Sequence, residues 1–463
     1  MKKVNIAIIG GSGYWSDRNH NKNILELKAK LEIQLTAIVD PTDPRTVDIN
    51  SNTLKLCAID NTVWLNPRDF QSTDELVKNL KEKYGINLVI IASSPCAHFE
   101  YGMSCLKQGI NVICDKPIVS NYNASTDIVA ASRIREKYNE LLGAYYLARK
   151  QYPNLMFHSI LRRRSLESFT KVASELDEVY KKTKAGINNM TILINGGVCK
   201  LPAELSNSGA HGYLDGVGSL SHSAYHYLDA IAWFISKAPG KTVEIIPKLN
   251  YVTRIKDYLD AETYLPVANI INVSSDSLLK PKLSKETLGC ELNVGFTFMM
   301  KDKENIQVGI MSLLFNHISF TTRVSNYDKL IREPGDHKGG GRMSQSFIDV
   351  HQEGLQNWQI MKNDVALDDN TILLQGRRHP SINGDRFESK KYENAYDTGV
   401  SMKELLAHAF KYVMEEKDLV GHSIVRELPE ERLAVDIYTS CYELIARDYN
   451  GESLQVPGIK IYG

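Results

Sequence analysis

The stretch Asn111-Val112-Ile113-Cys114-Asp115-Lys116-Pro117 decides the fold of the first part of this 463-residue chain. Its apolar residues predict the end of a buried strand in a parallel sheet. Pro117 ends the strand because proline has no N–H group for the hydrogen-bond ladder. Lys116 is therefore expected at the carboxyl end of a strand, where open α/β sheets bind their ligands. The alternative is a solvated lysine in a surface turn.

Strand and helix patterns alternate around this stretch. Further strands are predicted at residues 4–9, 35–39, 87–92 and 141–146, and helices at residues 24–28, 74–84, 98–109 and 123–138. This alternation predicts a Rossmann domain, which is a doubly wound parallel α/β sheet, over residues 1–147.

Residues 148–463 show a different pattern and are predicted to form a second domain. A helix at 166–182 is followed by strand-like runs between about 190 and 330, with few long helices among them. This favours an α+β domain whose largely antiparallel sheet has one open face. Residues 271–290 and 332–346 are expected to be loops, of which 335–342 could be a lid, and helices are expected at 402–416 and 428–447.

The composition is that of a globular protein and argues against several functional classes. Acidic and basic residues each number 55 and no basic block is present, so a nucleic-acid partner is not expected. No apolar run reaches membrane-spanning length, and the N-terminus lacks the features of a signal peptide. The seven cysteines form no C-x-x-C pair, which favours reduced thiols in the cytoplasm over disulfides or a zinc site.

A glycine turn follows the first predicted strand. Gly11-Ser12-Gly13-Tyr14-Trp15-Ser16 is a G-x-G-x-x-S version of the dinucleotide fingerprint, in which a pyrophosphate lies on the N-terminus of a helix. Asp40 ends the second strand, where a carboxylate binds a ribose 2′-hydroxyl and repels a 2′-phosphate. This favours NAD, although the nearby Arg45 keeps NADP open. Asp40 could also be only a turn residue before Pro41.

A second distinctive stretch occupies residues 215–229. It is predicted to be a glycine-rich loop followed by a helix, and its residues His222, His226 and Asp229 have the i, i+4, i+7 spacing that places side chains on one helical face. Two histidines at this spacing could bind a metal, but no third ligand is evident, so no metal site is predicted. Buried structural histidines are the alternative.

Together these segments resemble the Gfo/Idh/MocA oxidoreductase family. Residues 6–16 correspond to the family's opening glycine turn, residues 92–100 to its Thr-Pro…His-x-Glu loop, and residues 109–117 to its Gly-Lys-His-Val-x-x-Glu-Lys-Pro segment, here with Asp115 for the glutamate. Residues 216–229 correspond to its Gly-Gly…Asp-x-Gly-x-His-x-x-Asp helix, and residues 431–451 to its last helix. The order and spacing of these motifs carry the resemblance over most of the chain.

The resemblance implies a role for particular residues. It implies that Lys116 contacts the nicotinamide and the reacting hydroxyl, that His226 is the catalytic histidine, and that Asp229 is the downstream acid that also contacts substrate. His222 stands where the family has Asp or Asn, so either it takes part in the proton transfer with His226 or the catalytic arrangement is altered. The residues expected to bind NAD, or alternatively NADP, are Gly11, Ser12, Gly13, Tyr14, Trp15, Asp40, Ser93, Pro95, His98, Asp115 and Lys116.

Tyr146, which ends the strand predicted at 141–146, and Arg149, just beyond it, complete the expected site. Arg149 is expected to bind substrate and Tyr146 to line the same cleft, although Arg149 could be a surface charge and Tyr146 a core residue. The whole pattern predicts an NAD(P)-dependent oxidoreductase that acts on a secondary hydroxyl of a sugar, cyclitol or sugar derivative. By analogy it is expected to be a cytoplasmic homo-oligomer, a dimer or tetramer.

Two other functions fit the same sequence. The first is an NAD-recycling glycoside hydrolase or lyase, which oxidises its substrate transiently and reduces it back. The second is a non-catalytic dinucleotide-binding sensor or regulator on the same fold.

Overall fold

The computed structural model describes residues 3–47, 50–206, 212–270, 275–318, 344–363, 367, 371–382, 386–393, 398–415 and 426–461. The lid predicted at 335–342 lies outside these residues. The chain forms two compact units, each assembled from separate segments: unit 1 from Met1–Asn121, Arg133–Ser165 and Asp397–Val435, and unit 2 from Tyr122–Ser132, Leu166–Tyr396 and Asp436–Gly463.

The described strands are β1 (Val4–Ile9), β2 (Ile33–Val39), β3 (Val63–Leu65), β4 (Leu88–Ile91), β5 (Asn111–Asp115), β6 (Phe157–Ile160), β7 (Ile187–Val198), β8 (Glu244–Arg254), β9 (Glu291–Lys301), β10 (Gln307–Ile318), β11 (Gln345–Gln352), β12 (Gln356–Asn363), β13 (Ile372–Arg378), β14 (Phe387–Tyr392), β15 (Arg426–Glu427) and β16 (Ile459–Lys460).

The described α-helices are α1 (Lys22–Leu27), α2 (Ser51–Asp60), α3 (Thr73–Tyr84), α4 (His98–Gln108), α5 (Ile128–Gln151), α6 (Glu167–Thr183), α7 (Tyr225–Lys237), α8 (Ile255–Ala261), α9 (Leu265–Ile270), α10 (Ser275–Leu278), α11 (Lys285–Leu288), α12 (Thr398–Glu415) and α13 (Arg432–Tyr449). Two π-helical segments, Ser16–Asn21 and Leu220–Ala224, run directly into α1 and α7. Short 3-10 turns occur at Pro44–Thr46, Pro67–Asp69, Pro95–Ala97, Arg162–Ser165, Pro202–Leu205, Tyr213–Asp215 and Leu428–Glu431.

Unit 1 contains the predicted parallel sheet. In its described part the strand order is β15-β6-β5-β4-β1-β2-β3, in which β1 to β6 are parallel and β15 adds an antiparallel edge. The strand order reverses direction at β1, as in a doubly wound fold, which places the glycine turn at the switch point where such folds bind ligands. The predicted Rossmann fold is confirmed.

Helix α12 completes the core of unit 1 although it lies far along the chain. Its apolar residues recur at helical spacing and pack in one cluster with Ile6 and Ile8 of β1, both fully buried; they include Met402, Leu405, Leu406, Ala409, Phe410 and Val413. A helix over residues 402–416 was predicted, but its membership of the nucleotide-binding unit was not.

The strand predicted at residues 141–146 is wrong. These residues lie within α5, which also extends far beyond the helix predicted at 123–138, and the sixth strand is β6. Tyr138, Leu141 and Tyr145 are buried at helical spacing, so the short apolar run reflects one face of a helix. Residue 147, the predicted domain boundary, lies inside this helix.

Unit 2 contains a nine-stranded sheet in the order β14-β13-β12-β11-β7-β10-β9-β8-β16. Only the β7–β10 pair among its described neighbours is parallel, so the predicted, largely antiparallel sheet is confirmed. The prediction ended near residue 330 and missed β11 to β14. Polar residues at buried positions obscure the pattern there: Gln352 and Gln356 donate their amide hydrogens to the backbone carbonyls of Leu176 and Glu175 in α6.

Candidate active site

The turn after β1 is packed tightly at one glycine and leaves room at another. Gly10 has a φ of +82°, and a Cβ there would lie 2.6 Å from the carbonyl oxygen of Ala92. Among the described residues, a Cβ at Gly13 would meet only the Gly10 carbonyl oxygen, at 3.5 Å, so the space beside Gly13 can admit a ligand. Ser16 replaces the usual third small residue and donates its hydroxyl hydrogen to the Gly10 carbonyl at 2.8 Å.

Asp40 ties this turn to the end of β2. Its largely buried carboxylate accepts hydrogen bonds from the backbone N–H groups of Ser12 at 3.0 Å and Thr42 at 2.9 Å. Burial raises the pKa of Asp40, while these two hydrogen bonds oppose the rise. The carboxylate retains lone pairs for ribose hydroxyls. Arg45, which had kept NADP open, is instead paired with Asp43 through its Nε at 2.9 and 3.0 Å.

The residues after β4 lie against the glycine turn. A Cβ on Gly10 would lie 2.8 Å from the Cα of Ser93, whose buried hydroxyl has no hydrogen-bond partner among the described residues. Pro95 starts the 3-10 turn that leads into α4. The aromatic rings of Tyr14 and Trp15, just after the glycine turn, are partly exposed, and the Arg18 guanidinium lies over the Tyr14 ring, 4.6 Å from its centre.

His98 links the ends of β4 and β5. Its imidazole is buried, with Nδ1 2.8 Å from the Pro117 carbonyl oxygen and Nε2 3.0 Å from the Ser93 carbonyl oxygen. Burial lowers the pKa of His98. The observed contacts of His98 position the segment that carries Lys116, and its predicted contact with the cofactor remains a prediction.

Lys116 follows β5 directly, as predicted. Burial lowers the pKa of Lys116 to about 8, and the neighbouring Asp115 carboxylate opposes this shift. Asp115 is itself held by His20, whose Nε2 lies 3.2 and 3.3 Å from the two carboxylate oxygens. His20 is fully buried in the π-helical segment after the glycine turn. His20 is distant from β5 in the sequence and only the fold brings it to the end of that strand, so no sequence pattern pointed to it.

Arg149 does not follow a strand. It lies in the last turn of α5, where its guanidinium donates hydrogen bonds to the Tyr145 hydroxyl at 3.2 Å and the Leu155 carbonyl at 3.1 Å, and lies 3.6 Å from Glu427. Its expected substrate contact depended on a strand at 141–146, which is absent. The side chain of Tyr146 is exposed on the same helix.

In unit 2, the glycine-rich loop before His222 is pressed against its neighbours. Gly216 has a φ of +73°, and a Cβ there would lie 2.4 Å from Oδ1 of Asn123. A Cβ on Gly218 would lie 2.1 Å from the carbonyl oxygen of Glu291. These glycines are therefore required by close approach within unit 2.

Glu291 fixes the start of the helix that carries the two histidines. Its buried carboxylate accepts hydrogen bonds from the Ser125 hydroxyl at 2.7 Å, the Leu220 backbone N–H at 3.0 Å and the Tyr442 hydroxyl at 3.0 Å. Burial raises the pKa of Glu291, and these donors oppose the rise. Leu220 is the first residue of the π-helical segment, so Glu291 sets where that segment begins. Nothing in the sequence distinguished Glu291 from an ordinary strand residue.

The predicted helix is present, but its first turn is π-helical. His222 lies in this wider turn, while His226 and the buried Asp229 lie in α7, so the i, i+4, i+7 face of a regular α-helix does not extend to His222. Nε2 of His222 lies 3.4 Å from the Tyr213 hydroxyl. Its ring also packs edge to face on that of His317, with ring centres 4.8 Å apart.

Two further findings concern metal binding and membrane crossing. Within the described ranges, no group of three or more His, Cys, Asp and Glu side chains is arranged to hold a metal ion. The helices described in both units are too short or too polar to cross a membrane.

Residues 4–139 match the oxidoreductase family with an NAD-binding Rossmann fold, which is the Gfo/Idh/MocA family. Over these residues the resemblance is confirmed, and so is the predicted NAD cofactor. The residues present also fit the cofactor, because the space beside Gly13, the hydroxyl of Ser93 and the carboxylate of Asp40 all lie at the carboxyl ends of β1, β4 and β2.

Solved structures share the fold across the whole chain. Levoglucosan dehydrogenase in complex with NADH and levoglucosan has a TM-score of 0.54 at 12% identity, over 97% of this chain and 98% of that one. Aldose-aldose oxidoreductase from Caulobacter crescentus has a TM-score of 0.54 at 11% identity, over 99% and 100%. The transcriptional regulator Gal80p from Kluyveromyces lactis has a TM-score of 0.54 at 13% identity, over 97% and 89%. No curated protein sequence matches the chain.

Proposed function

We propose that this protein is an NAD-dependent oxidoreductase that oxidises a secondary hydroxyl of a sugar, cyclitol or sugar derivative. The observation that carries the proposal is Lys116, a lysine whose pKa burial lowers to about 8, at the carboxyl end of β5 in an NAD-binding domain. Structures with the same fold include enzymes that act on levoglucosan and aldoses, which supports this substrate class.

The reaction needs a hydride acceptor and a group that takes the hydroxyl proton. NAD, when bound, supplies the acceptor. We assign His226 to the proton, because an imidazole titrates near working pH. Lys116 as an ammonium would stabilise negative charge developing on the hydroxyl oxygen, or as a free amine would take the proton itself. Asp229 would orient the substrate. His222, which contacts the Tyr213 hydroxyl, would take part in the proton transfer.

Asp40 supports a preference for NAD over NADP. A buried carboxylate at the end of β2 repels a 2′-phosphate, and Arg45 is engaged by Asp43. Dissociation constants for NADH and NADPH, measured by fluorescence titration, test this preference. Equal affinities would contradict it.

A second candidate function is a dinucleotide-binding regulator. It is favoured by one observation, which is the shared fold with the transcriptional regulator Gal80p over nearly the whole chain. Such a protein would bind NAD and turn over no sugar.

We also propose a cytoplasmic location and a homo-oligomer, dimer or tetramer. The location is supported by the seven cysteines, all of which are free and most of which are buried. Light scattering coupled to size-exclusion chromatography measures the assembly, and a monomer would contradict that part of the proposal.

The proposal is tested by mass spectrometry of the purified protein under native and then denaturing conditions, followed by a panel of sugars and cyclitols assayed for NADH formation. Reversible NAD binding with turnover of a panel member is expected. Tightly retained NAD without net NADH formation would favour the recycling enzyme or the regulator, and product analysis then separates these two. Absence of dinucleotide binding would overturn the proposal.

A further inference from the structure

Lys200 is a buried lysine in unit 2 that the proposed reaction does not use. It follows β7 and only 5% of its surface is exposed. Its ammonium nitrogen lies 5.1 Å from the centre of the Tyr213 ring. Its backbone carbonyl accepts a hydrogen bond from the Tyr258 hydroxyl at 2.7 Å, which holds this part of the chain in place.

The ammonium of Lys200 has no ion pair and no hydrogen-bond acceptor among the residues that the structure describes. The negative charge of Glu204 opposes the lowering of the Lys200 pKa, but the Glu204 carboxylate accepts a hydrogen bond from the Leu201 backbone N–H at 2.7 Å. Burial lowers the pKa of Lys200 to about 8, so the side chain still carries its proton at neutral pH. Contact with the Tyr213 ring offsets only part of the cost of burying such a charge.

Tyr213 connects Lys200 with the histidines. The face of its ring lies against the Lys200 ammonium, while its hydroxyl lies 3.4 Å from Nε2 of His222. The ring of His222 in turn packs against His317, which is also buried. A lysine ammonium without an ion pair among the described residues therefore lies one aromatic ring away from His222, which is assigned to the reaction.

We propose that Lys200 is a substrate-binding residue that recognises a negatively charged substituent, a carboxylate or a phosphate, on the sugar. Ammonium groups bind both anions as point charges, and the structure gives the Lys200 ammonium no carboxylate of its own within ion-pair distance among the described residues. This inference rests on the proposed function and narrows its substrate class to sugar acids or sugar phosphates.

The test compares charged sugars with their neutral counterparts by isothermal titration calorimetry at neutral pH, on the protein saturated with NADH so that no probe is oxidised during the titration. The probes are D-glucuronate, D-galacturonate, D-glucose 6-phosphate and D-galactose 6-phosphate against D-glucose and D-galactose. At least one charged probe is expected to bind about tenfold or more tightly than its neutral parent. The identity of that probe distinguishes a carboxylate from a phosphate.

Substitutions assign the preference to Lys200. Lys200→Met, of similar length but uncharged, is expected to abolish the preference, whereas Lys200→Arg retains a charge and part of it. Lys248→Met removes an exposed lysine on β8 and is expected to change nothing. Because Lys200→Met removes a buried charge that has no ion pair among the described residues, its melting temperature is expected to equal or exceed that of the wild type.

Each contrary result overturns the inference. These results are the absence of a preference for any charged probe, a preference that survives in Lys200→Met, and a Lys200→Met protein that melts earlier without a change in preference. NAD affinity is measured in the same samples. Loss of NAD binding in the wild type would count against the proposed function, whereas normal NAD binding without a charge preference would count against the role of Lys200 alone.

Discussion

Lys116 and His226 are held in place by two different kinds of structure. Lys116 continues a parallel strand, and its position depends on the ladder of β5 and on the neighbouring His98. His226 lies on a helix whose start is set by Glu291, a residue of a distant strand that also binds Tyr442 near the end of the chain. One position is therefore specified mainly by local sequence and the other by tertiary contacts.

Alanine substitutions of Lys116 and His226 are expected to have the largest effects and to differ in their effect on NAD binding. Both Lys116→Ala and His226→Ala are expected to lower kcat/KM by about a thousandfold, the scale of a lost proton-transfer or charge-stabilising group. Only Lys116→Ala is expected to weaken NAD binding as well, because Lys116 follows a strand of the NAD-binding domain. Steady-state kinetics and NADH fluorescence titration measure the two effects.

The control for this pair is His379→Ala, which removes an exposed histidine of unit 2 and should leave both measurements unchanged. Turnover that survives both Lys116→Ala and His226→Ala would show that the proposed site is misassigned.

Substitutions of Glu291 test whether tertiary contacts set the position of His226. Glu291→Leu leaves the Ser125 hydroxyl, the Leu220 N–H and the Tyr442 hydroxyl without their acceptor, which we expect to cost about 3 kcal/mol of stability. With the helix start displaced, kcat/KM should fall by about a hundredfold while the NAD dissociation constant stays constant.

Glu291→Gln is the matched variant. Its amide oxygen can accept from Leu220 and Tyr442, and its NH₂ group can donate to Ser125, so most stability and activity should be retained. Thermal unfolding and kinetics of the two variants measure this difference. Equal losses in both would show that the charge of Glu291, rather than its hydrogen bonds, is what matters.

The same contrast explains which features could be predicted from sequence. The pattern of β5, Lys116 and Pro117 is contiguous, so the strand and the lysine at its end follow from a few neighbouring residues. The apolar run at 141–146 led to a wrong strand prediction, because a short apolar segment fits a strand and the buried face of a helix equally well. Glu291 and Lys200 gave no signal, since their roles depend on contacts made between distant segments.

The protonation of Lys116 should be visible in the pH dependence of kcat at saturating substrate, which excludes effects on binding through Lys200. Because burial lowers the pKa of Lys116 to about 8, its ammonium form is present below that pH and lost above it. If the ammonium stabilises charge, kcat for oxidation should fall about tenfold for each pH unit above about 8. Lys116→Arg keeps its charge and should be slower but flat in this range. A rate that rises through the same range would instead make Lys116 the base.

The smallest effect is expected at His20, which contacts Asp115, the residue before Lys116. His20→Leu removes the donor that holds the Asp115 carboxylate, and a lost hydrogen bond of about 1 kcal/mol corresponds to roughly a fivefold decrease in kcat. NAD affinity and the pH dependence of kcat should be recorded together, because misplacing Asp115 should also shift the decline in kcat that Lys116 causes above about pH 8. His20→Gln retains an N–H donor and should recover most of the activity. An equal decrease of kcat in both variants, with an unchanged pH profile, would contradict this role. It would show that His20 contributes only packing and that the strand alone positions Lys116.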